Sequence, residues 1–227
     1  MSNTHYHLGT HTELGDLLVL EGLIRHFSFA TKVTFNTQYV ADAKELFHPL
    51  KNVEPIFTQK SYPVRPDKVP RGANQVLWLG YFSEEFQKHG RRLPGIGVQT
   101  FDPKTWDREF YRQAGVPFIT RWRGSRLPGL YGDSTPEDAI LVHDEPEHRI
   151  ALPNARRITP LPGKTVFAWM KPLSQAREIH CIDSSILSLV ESMWANGYFG
   201  PRTEFFFHRS VRPTHPPTLL APWQIVE

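Results

Sequence analysis

The sequence predicts an α/β protein of two doubly wound halves. Two matching junctions, one per half, predict it. Leu14-Gly15-Asp16-Leu17-Leu18 opens an apolar helix just after a short strand, and Glu178-Ile179-His180-Cys181-Ile182-Asp183-Ser184-Ser185 runs from a second short strand into another helix. Each puts a carboxylate and small polar groups where a strand ends and a helix begins. In open α/β sheets ligands settle there, because free backbone N–H groups and the positive helix end point into the crevice. The third observation is the β-α-β-α-β order over residues 5–57, the pattern of a parallel sheet.

Taken in order, His5-Tyr6-His7-Leu8 forms the first strand. Leu17, Leu20, Ile24 and Phe27 recur at helical spacing, which predicts an amphipathic helix over 14–28. Residues 32–36 form a strand, 40–47 a short helix that stops ahead of Pro49, and 53–57 a third strand. Residues 58–74, rich in Pro, Lys and Arg, form a loop, and 76–80 are a continuous apolar run suited to a buried parallel strand. Asp102 caps and Pro103 opens the clearest helix, which carries Trp106 and Phe110 on one face and stops at Gly115 and Pro117. Residues 120–137 read as a crossover between an N-terminal half, 1–119, and a C-terminal half, 138–227. In the second half 139–143 is a strand and 157–159 another. Helical pieces at 166–170 and 172–176 are expected to break at Pro172. A strand at 179–182, a helix at 186–195 ended by Asn196-Gly197, and a late strand at 203–208 follow. The Pro-rich tail, 212–227, is expected to pack as an extended segment.

Composition narrows the class. With 227 residues, 40% apolar and 22% charged, the chain matches a globular protein. No apolar run approaches the ~20 residues that span a bilayer. The first residues lack the basic start and apolar core of a signal peptide. A single cysteine, Cys181, excludes an internal disulfide and suits a reducing compartment. These points predict a cytoplasmic location. A net charge of +3 is too small to argue nucleic-acid binding alone. Arg108, Arg112, Arg121, Arg123 and Arg126 crowd the middle, either as a phosphate-facing patch or as a solvated surface.

The stretch Pro172-Leu173-Ser174-Gln175-Ala176-Arg177-Glu178-Ile179-His180-Cys181-Ile182-Asp183-Ser184-Ser185-Ile186-Leu187-Ser188-Leu189 resembles the donor-site segment of GT-B glycosyltransferases, and is closest to the heptosyltransferase type. In those enzymes a short helix leads to a strand and then to an Asp-Ser/Thr-Gly turn at a helix N-terminus. Gly15-Asp16-Leu17-Leu18 resembles their Gly-Asp on the loop after the first strand, where the Asp is the proposed catalytic base. Ser185 stands where the family usually has Gly, and Ser188 where it often has His. The resemblance implies two Rossmann-like halves in a GT-B-like arrangement, acceptor half first and donor half second. It also implies transfer of a sugar, hexosyl or pentosyl, from a nucleotide-diphosphate donor to a hydroxyl, inverting and metal-independent, with no resident cofactor.

On that reading Asp16 takes the acceptor proton, and the plain alternative is a helix cap. His7 shares a strand face with His5 and is the second catalytic candidate, or else a packed side chain. Asp183, Ser184 and Ser185 sit where hydroxyls and N–H groups suit a diphosphate, with Asp183 orienting the loop or bonding a sugar hydroxyl; all three are also a capping segment. In the loop His143-Asp144-Glu145-Pro146-Glu147-His148-Arg149, Arg149 is expected to neutralise the leaving diphosphate, and His143 and Asp144 to bind the donor; the alternative is a solvated acidic turn. Arg112 and Arg121 are candidate phosphate or acceptor contacts. His180 and Phe205-Phe206-Phe207 read as core. The expected partners are a nucleotide sugar and an acceptor that is a glycan, a small molecule or a hydroxylated DNA base. Two rival readings are a metal-dependent hydrolase, using His5, His7, His11 and the loop 143–148, and a non-catalytic nucleotide-binding protein.

Overall fold

The structure, a computed structural model, describes residues 4–9, 13–58, 69–80, 102–131, 134–136 and 138–227. The chain divides into two compact units, Met1–Ser125 and Arg126–Glu227. His11, and much of the loop expected over 58–74, lie outside the described residues.

The first unit follows the predicted order. It contains β1 (His5–Gly9), α1 (Leu14–His26), β2 (Lys32–Thr37), α2 (Val40–Phe47), β3 (Val53–Phe57) and β4 (Gln75–Trp78). The strands form a parallel sheet in the order β3-β2-β1-β4. Leu8, Val33 and Phe35 of the sheet are buried, as are Leu17, Leu18, Leu20, Leu23 and Ile24 of α1. Each such side chain contributes about 1.5–3 kcal/mol by leaving water, which outweighs the weak intrinsic preference of so short a sheet. The helix over 14–28 ends two residues sooner than expected, tightening into a 3-10 turn at Phe27–Phe29.

Asp102 caps as predicted, accepting the Lys104 N–H at 2.9 Å, with Pro103 opening a 3-10 turn that leads into α3 (Trp106–Gln113). Tyr111 of α3 fastens this helix to α1. Its hydroxyl donates to the Val19 carbonyl at 2.9 Å and accepts the Leu23 N–H at 3.2 Å. The segment 120–137 is not all crossover, because Thr120–Arg123 forms α4 and packs on α1 inside the first unit. The contact depends on Gly22, where a Cβ would stand 2.4 Å from the Thr120 carbonyl.

The second unit contains β5 (Ile140–His143), β6 (Arg156–Arg157), α5 (Met170–Gln175), β7 (Glu178–Cys181), α6 (Ser185–Ala195), β8 (Glu204–His208) and β9 (Gln224–Val226). Its sheet is parallel, in the order β6-β5-β7-β8-β9. Pro172 does not break a helix. It lies in the first turn of α5, where its missing N–H has no helical partner to lose, and the irregularity falls before Met170, after a 3-10 turn at Val166–Trp169. The tail is more than an extended wrapping, since β9 adds a parallel strand beside β8. Glu191 on α6 holds the approach to it. Its fully buried carboxylate accepts the backbone N–H groups of Leu220 and Ala221 and the indole N–H of Trp223.

Each sheet has one switch point. In the first unit the chain runs from β1 outward to β3, then returns to β4 on the other side of β1. In the second it steps from β5 to β6 and returns to β7, so the switch lies between β5 and β7. In open α/β sheets such points, at the carboxyl ends of the strands, are where ligands bind. Among the described residues no helix is long and apolar enough to cross a membrane.

Candidate functional site

Three loops meet at the switch point of the second unit: those after β5, after β7 and after β8. The first two are the ones the sequence singled out. The Ile182 N–H reaches across to the His143 carbonyl at 3.3 Å, which holds the two strand ends level. Ser184 is the cap of α6, its hydroxyl accepting the Leu187 N–H at 3.4 Å, and Ser185 is the first helical residue. The capping role expected as an alternative is therefore present. It takes up the Leu187 N–H, and the N–H groups of Ser185 and Ile186 belong to the same first turn, at the carboxyl end of β7.

The loop after β8 closes over the other two. The Arg212 guanidinium donates from one nitrogen, Nη1, to Glu145 at 2.9 Å and to the Asp183 carbonyl at 2.8 Å. The Thr214 hydroxyl donates to the Asp183 carboxylate. His148 Nδ1 donates to the Val211 carbonyl at 2.8 Å, which fixes its tautomer. Arg212 is about one-third exposed, and its Nε and Nη2 make no hydrogen bond among the described residues. Arg212 and Thr214 were missed from sequence. Their signal was position alone, since they follow the late strand at its carboxyl end.

Electrostatics sort the predicted residues. Asp144 is almost wholly buried and fully engaged. It accepts from Arg149 at 3.0 Å, from the Ile150 N–H at 2.9 Å and from Arg157. Burial alone would raise its pKa, but the Ile150 N–H and the two guanidiniums outweigh that and hold it below the usual carboxylate value. Asp144 thus organises its own loop. Arg149 is half exposed and shares its charge with Asp144. Asp183 moves the other way. Burial raises its pKa, with Glu145 adding to the rise, against the opposing pull of Thr214 and Arg212. His143 ends β5 with Nδ1 buried and, among the described residues, without a hydrogen-bond partner. Burial lowers its pKa to about 4, with Asp144 opposing and Arg212 assisting, so the ring is neutral at pH 7.

In the first unit Asp16 lies in the first turn of α1, half buried, at the third helical position. The cap position belongs to Glu13, which makes no side-chain cap hydrogen bond, and a carboxylate in the first turn suits the helix dipole. His7 is fully buried, its Nδ1 3.0 Å from the Thr34 hydroxyl, and burial lowers its pKa to about 4.

Arg121 lies on α4 with its side chain buried. It forms a buried ion pair with Asp107 and lies 4.0 Å from the Trp122 ring centroid, inside the first unit. Arg112 pairs with Glu109 on the same helix. His180 is a satisfied core histidine as expected, stacked on Phe206 at 4.4 Å, with Nδ1 2.9 Å from His208 and Nε2 3.2 Å from Glu178. Among the described residues no three His, Cys, Asp or Glu side chains converge to hold a metal.

No protein-family model matches the chain, and no curated protein matches it. Solved structures do. One is the dodecameric iron-containing heptosyltransferase TibC, solved in complex with ADP-D-beta-D-heptose, with a TM-score of 0.55 and 14% identity over 92% of this chain. This chain spans 58% of that one. Another is a family 9 glycosyl transferase from Veillonella parvula DSM 2008, with a TM-score of 0.50 and 10% identity over 100% of this chain and 87% of the other. The fold is therefore the Rossmann-like α/β fold of these glycosyltransferases, as the sequence resemblance implied.

Proposed function

We propose that the chain is a glycosyltransferase that moves a sugar from a nucleotide-diphosphate donor to an acceptor hydroxyl, with inversion and without a metal. The observation that carries this reading is Arg212. It presents unused guanidinium donors at the β5/β7 switch point, beside the first turn of α6. A cation, a helix start and small hydroxyls at one crevice are the chemistry that binds a diphosphate and stabilises it as it leaves.

In the proposed reaction the acceptor oxygen attacks the anomeric carbon as the bond from that carbon to the diphosphate oxygen breaks. The electron pair of that bond stays with the diphosphate. Arg212, with the Ser184 and Ser185 hydroxyls and the α6 N–H groups, receives the charge, and Arg149 adds a second, half-exposed cation. Asp16 takes the acceptor proton. Neutral His143 supplies one hydrogen bond. Asp183 holds the α6 loop through Thr214 and Arg212.

Isothermal titration with UDP, GDP and ADP and their common sugar conjugates, with and without EDTA, tests the reading. One nucleotide diphosphate is expected to bind in both conditions, and the Arg212→Gln variant is expected to bind it at least tenfold more weakly. Binding of none, or binding that EDTA abolishes, overturns it.

A further inference from the structure

The second sheet brings two imidazoles together on one face. Glu178 and His180 alternate on β7, and Phe206 and His208 on β8, so the four share that face. The His180 ring lies flat on Phe206, with centroids 4.4 Å apart and planes 7° from parallel. Its Nε2 stands 3.2 Å from Glu178 Oε2, and its Nδ1 stands 2.9 Å from His208 Nε2. The two imidazole centroids are 5.2 Å apart, which with a 2.9 Å bond sets the rings end to end, each nitrogen aimed at the other. Ligands of one metal ion would turn their lone pairs to a common point beside that line. Here the geometry is that of a shared proton.

The carboxylate fixes which way the bond runs. Arg177 pairs with the other oxygen of Glu178 at 2.6 Å, and the ion-paired carboxylate can only accept. His180 therefore carries its proton on Nε2 and a lone pair on Nδ1, and His208 Nε2–H donates to that lone pair. Burial lowers the pKa of both rings, with Glu178 opposing at His180 and charge on His180 adding to the fall at His208. Both rings are then neutral at pH 7. Glu204 of β8 is the other carboxylate on this face, opposite Glu178 in the register. The neighbouring strands contribute uncharged residues, Ile140 and Val142 of β5 and Gln224 and Val226 of β9. Ile150 and Val211 pack over Val142 from the loops, and Arg209, next after His208, pairs with Glu227 at 3.8 Å.

The ladder between β7 and β8 ends at Cys181 and Phe207, and His208 is paired onward to Val226 of β9. The imidazole bond thus ties β8 to β7 one residue beyond their ladder, where the chain leaves for Arg212 and Thr214.

The geometry points to an acid-sensitive latch: the His180–His208 pair takes up one proton with its bond intact, and a second proton parts the rings and loosens the loop at 209–214. The first proton enters at His208 Nδ1, the outer nitrogen, and leaves the shared bond as it was. The second has to enter at His180 Nδ1 and sets N–H against N–H, cation against cation. The parted state binds more protons, so acid favours it. The latch stands on the strand register and the ring geometry, and does not depend on the transfer reaction.

The test is long-range proton–nitrogen NMR of the imidazoles in the 15N-labelled full chain, followed from pH 8 down to about pH 4, with amide hydrogen exchange at each step. His208 is assigned by the loss of its signals in His208→Gln, and His180 by its response to that change. At pH 7 both rings are expected to be protonated at Nε2. One proton should then enter with the signals of both rings moving together at one midpoint, and exchange at 209–214 should quicken only with the next. Glu178→Gln keeps the shape and removes the charge, and should move the first midpoint to lower pH. In His208→Gln the exchange at 209–214 should already be roughly two- to tenfold faster at pH 7, the worth of one hydrogen bond. A His180 proton on Nδ1 at pH 7 overturns the latch. Rings that titrate independently, an unchanged loop in His208→Gln, or global unfolding before the first proton enters overturn it equally.

Discussion

Arg212 and Glu145 form an ion pair at 2.9 Å across the carboxyl edge of the second sheet, joining loops that belong to different strands. The pair is the resting partner of a cation placed where a diphosphate is proposed to sit. A charge-assisted hydrogen bond contributes about 1.5–3 kcal/mol, or roughly ten- to a hundredfold in affinity. Arg212→Gln should therefore weaken nucleotide diphosphate binding by that factor, with little change in melting temperature because the side chain is part exposed. Glu145→Gln releases the guanidinium and should leave binding equal or tighter. Titration calorimetry on both variants checks the pair. Weaker binding in Glu145→Gln would show that the bridge itself shapes the site.

Asp16→Asn separates chemistry from binding. Removing a general base typically costs about 10²–10⁴ in rate. Turnover should fall by that much, while donor affinity, assigned to the second unit, stays constant. Since Glu13 and not Asp16 holds the cap position, the stability change should be only about 0.3–1 kcal/mol, the loss of a carboxylate in the first turn. Steady-state rates and a donor titration on the same preparation check this. Full turnover in the variant would remove Asp16 from the mechanism.

Legibility in the sequence followed the range of the physics. Helix α2 and strand β3 fall where spacing, Pro49 and flanking polar residues put them, because those signals are local. The Asp183-Ser184-Ser185 turn was legible for the same reason. The Arg121–Asp107 pair was not, because only the packing of α4 brings Asp107 to Arg121. Strand β9 was missed because Gln224-Ile225-Val226 has no pattern of its own; β8 and the buried Glu191 define it. Arg212 reached the site by the same route, through a loop whose neighbours lie far away in sequence.

Stability should rise with pH between about 4 and 6.5. His7 and His143 both have folded pKa values lowered to about 4, mainly by burial, whereas the unfolded value is about 6.5. In that window the unfolded chain binds more protons than the folded one, so acid favours unfolding. The part of the slope due to these two histidines should level off above pH 6.5, where both states are neutral, and below pH 4, where both are charged. Urea unfolding at stepped pH checks the window, and His143→Gln should lower the slope by up to one proton. An unchanged slope would show that His143 stays protonated in the folded chain.

Gly22→Ala should destabilise the first unit. Alanine is the better helix former, by about 0.8–1 kcal/mol, so an exposed site would gain. Here the added methyl meets the Thr120 carbonyl and the Arg121 backbone, which cannot swing aside as a side chain would. Overpacking of this kind costs about 1–3 kcal/mol, and that term wins. The denaturant midpoint should fall. A rise would mean that α4 moves away from α1 freely.

Glu191→Gln tests what holds the tail. The buried carboxylate serves three donors at once, the N–H groups of Leu220 and Ala221 and the indole N–H of Trp223. An amide of the same shape offers one oxygen, and its NH2 group faces donors where the second oxygen stood. One buried N–H then loses its acceptor, which costs about 1–3 kcal/mol. The cost falls unevenly. Strand β9 pairs with β8 at the edge of the sheet, and the three Glu191 bonds lie just ahead of it. Hydrogen exchange should therefore quicken at residues 224–226 well before it does in β7, while the centre of the sheet keeps its protection. Equal quickening in both strands would mean that the second unit opens as a whole and that Glu191 supports the core and not the tail alone.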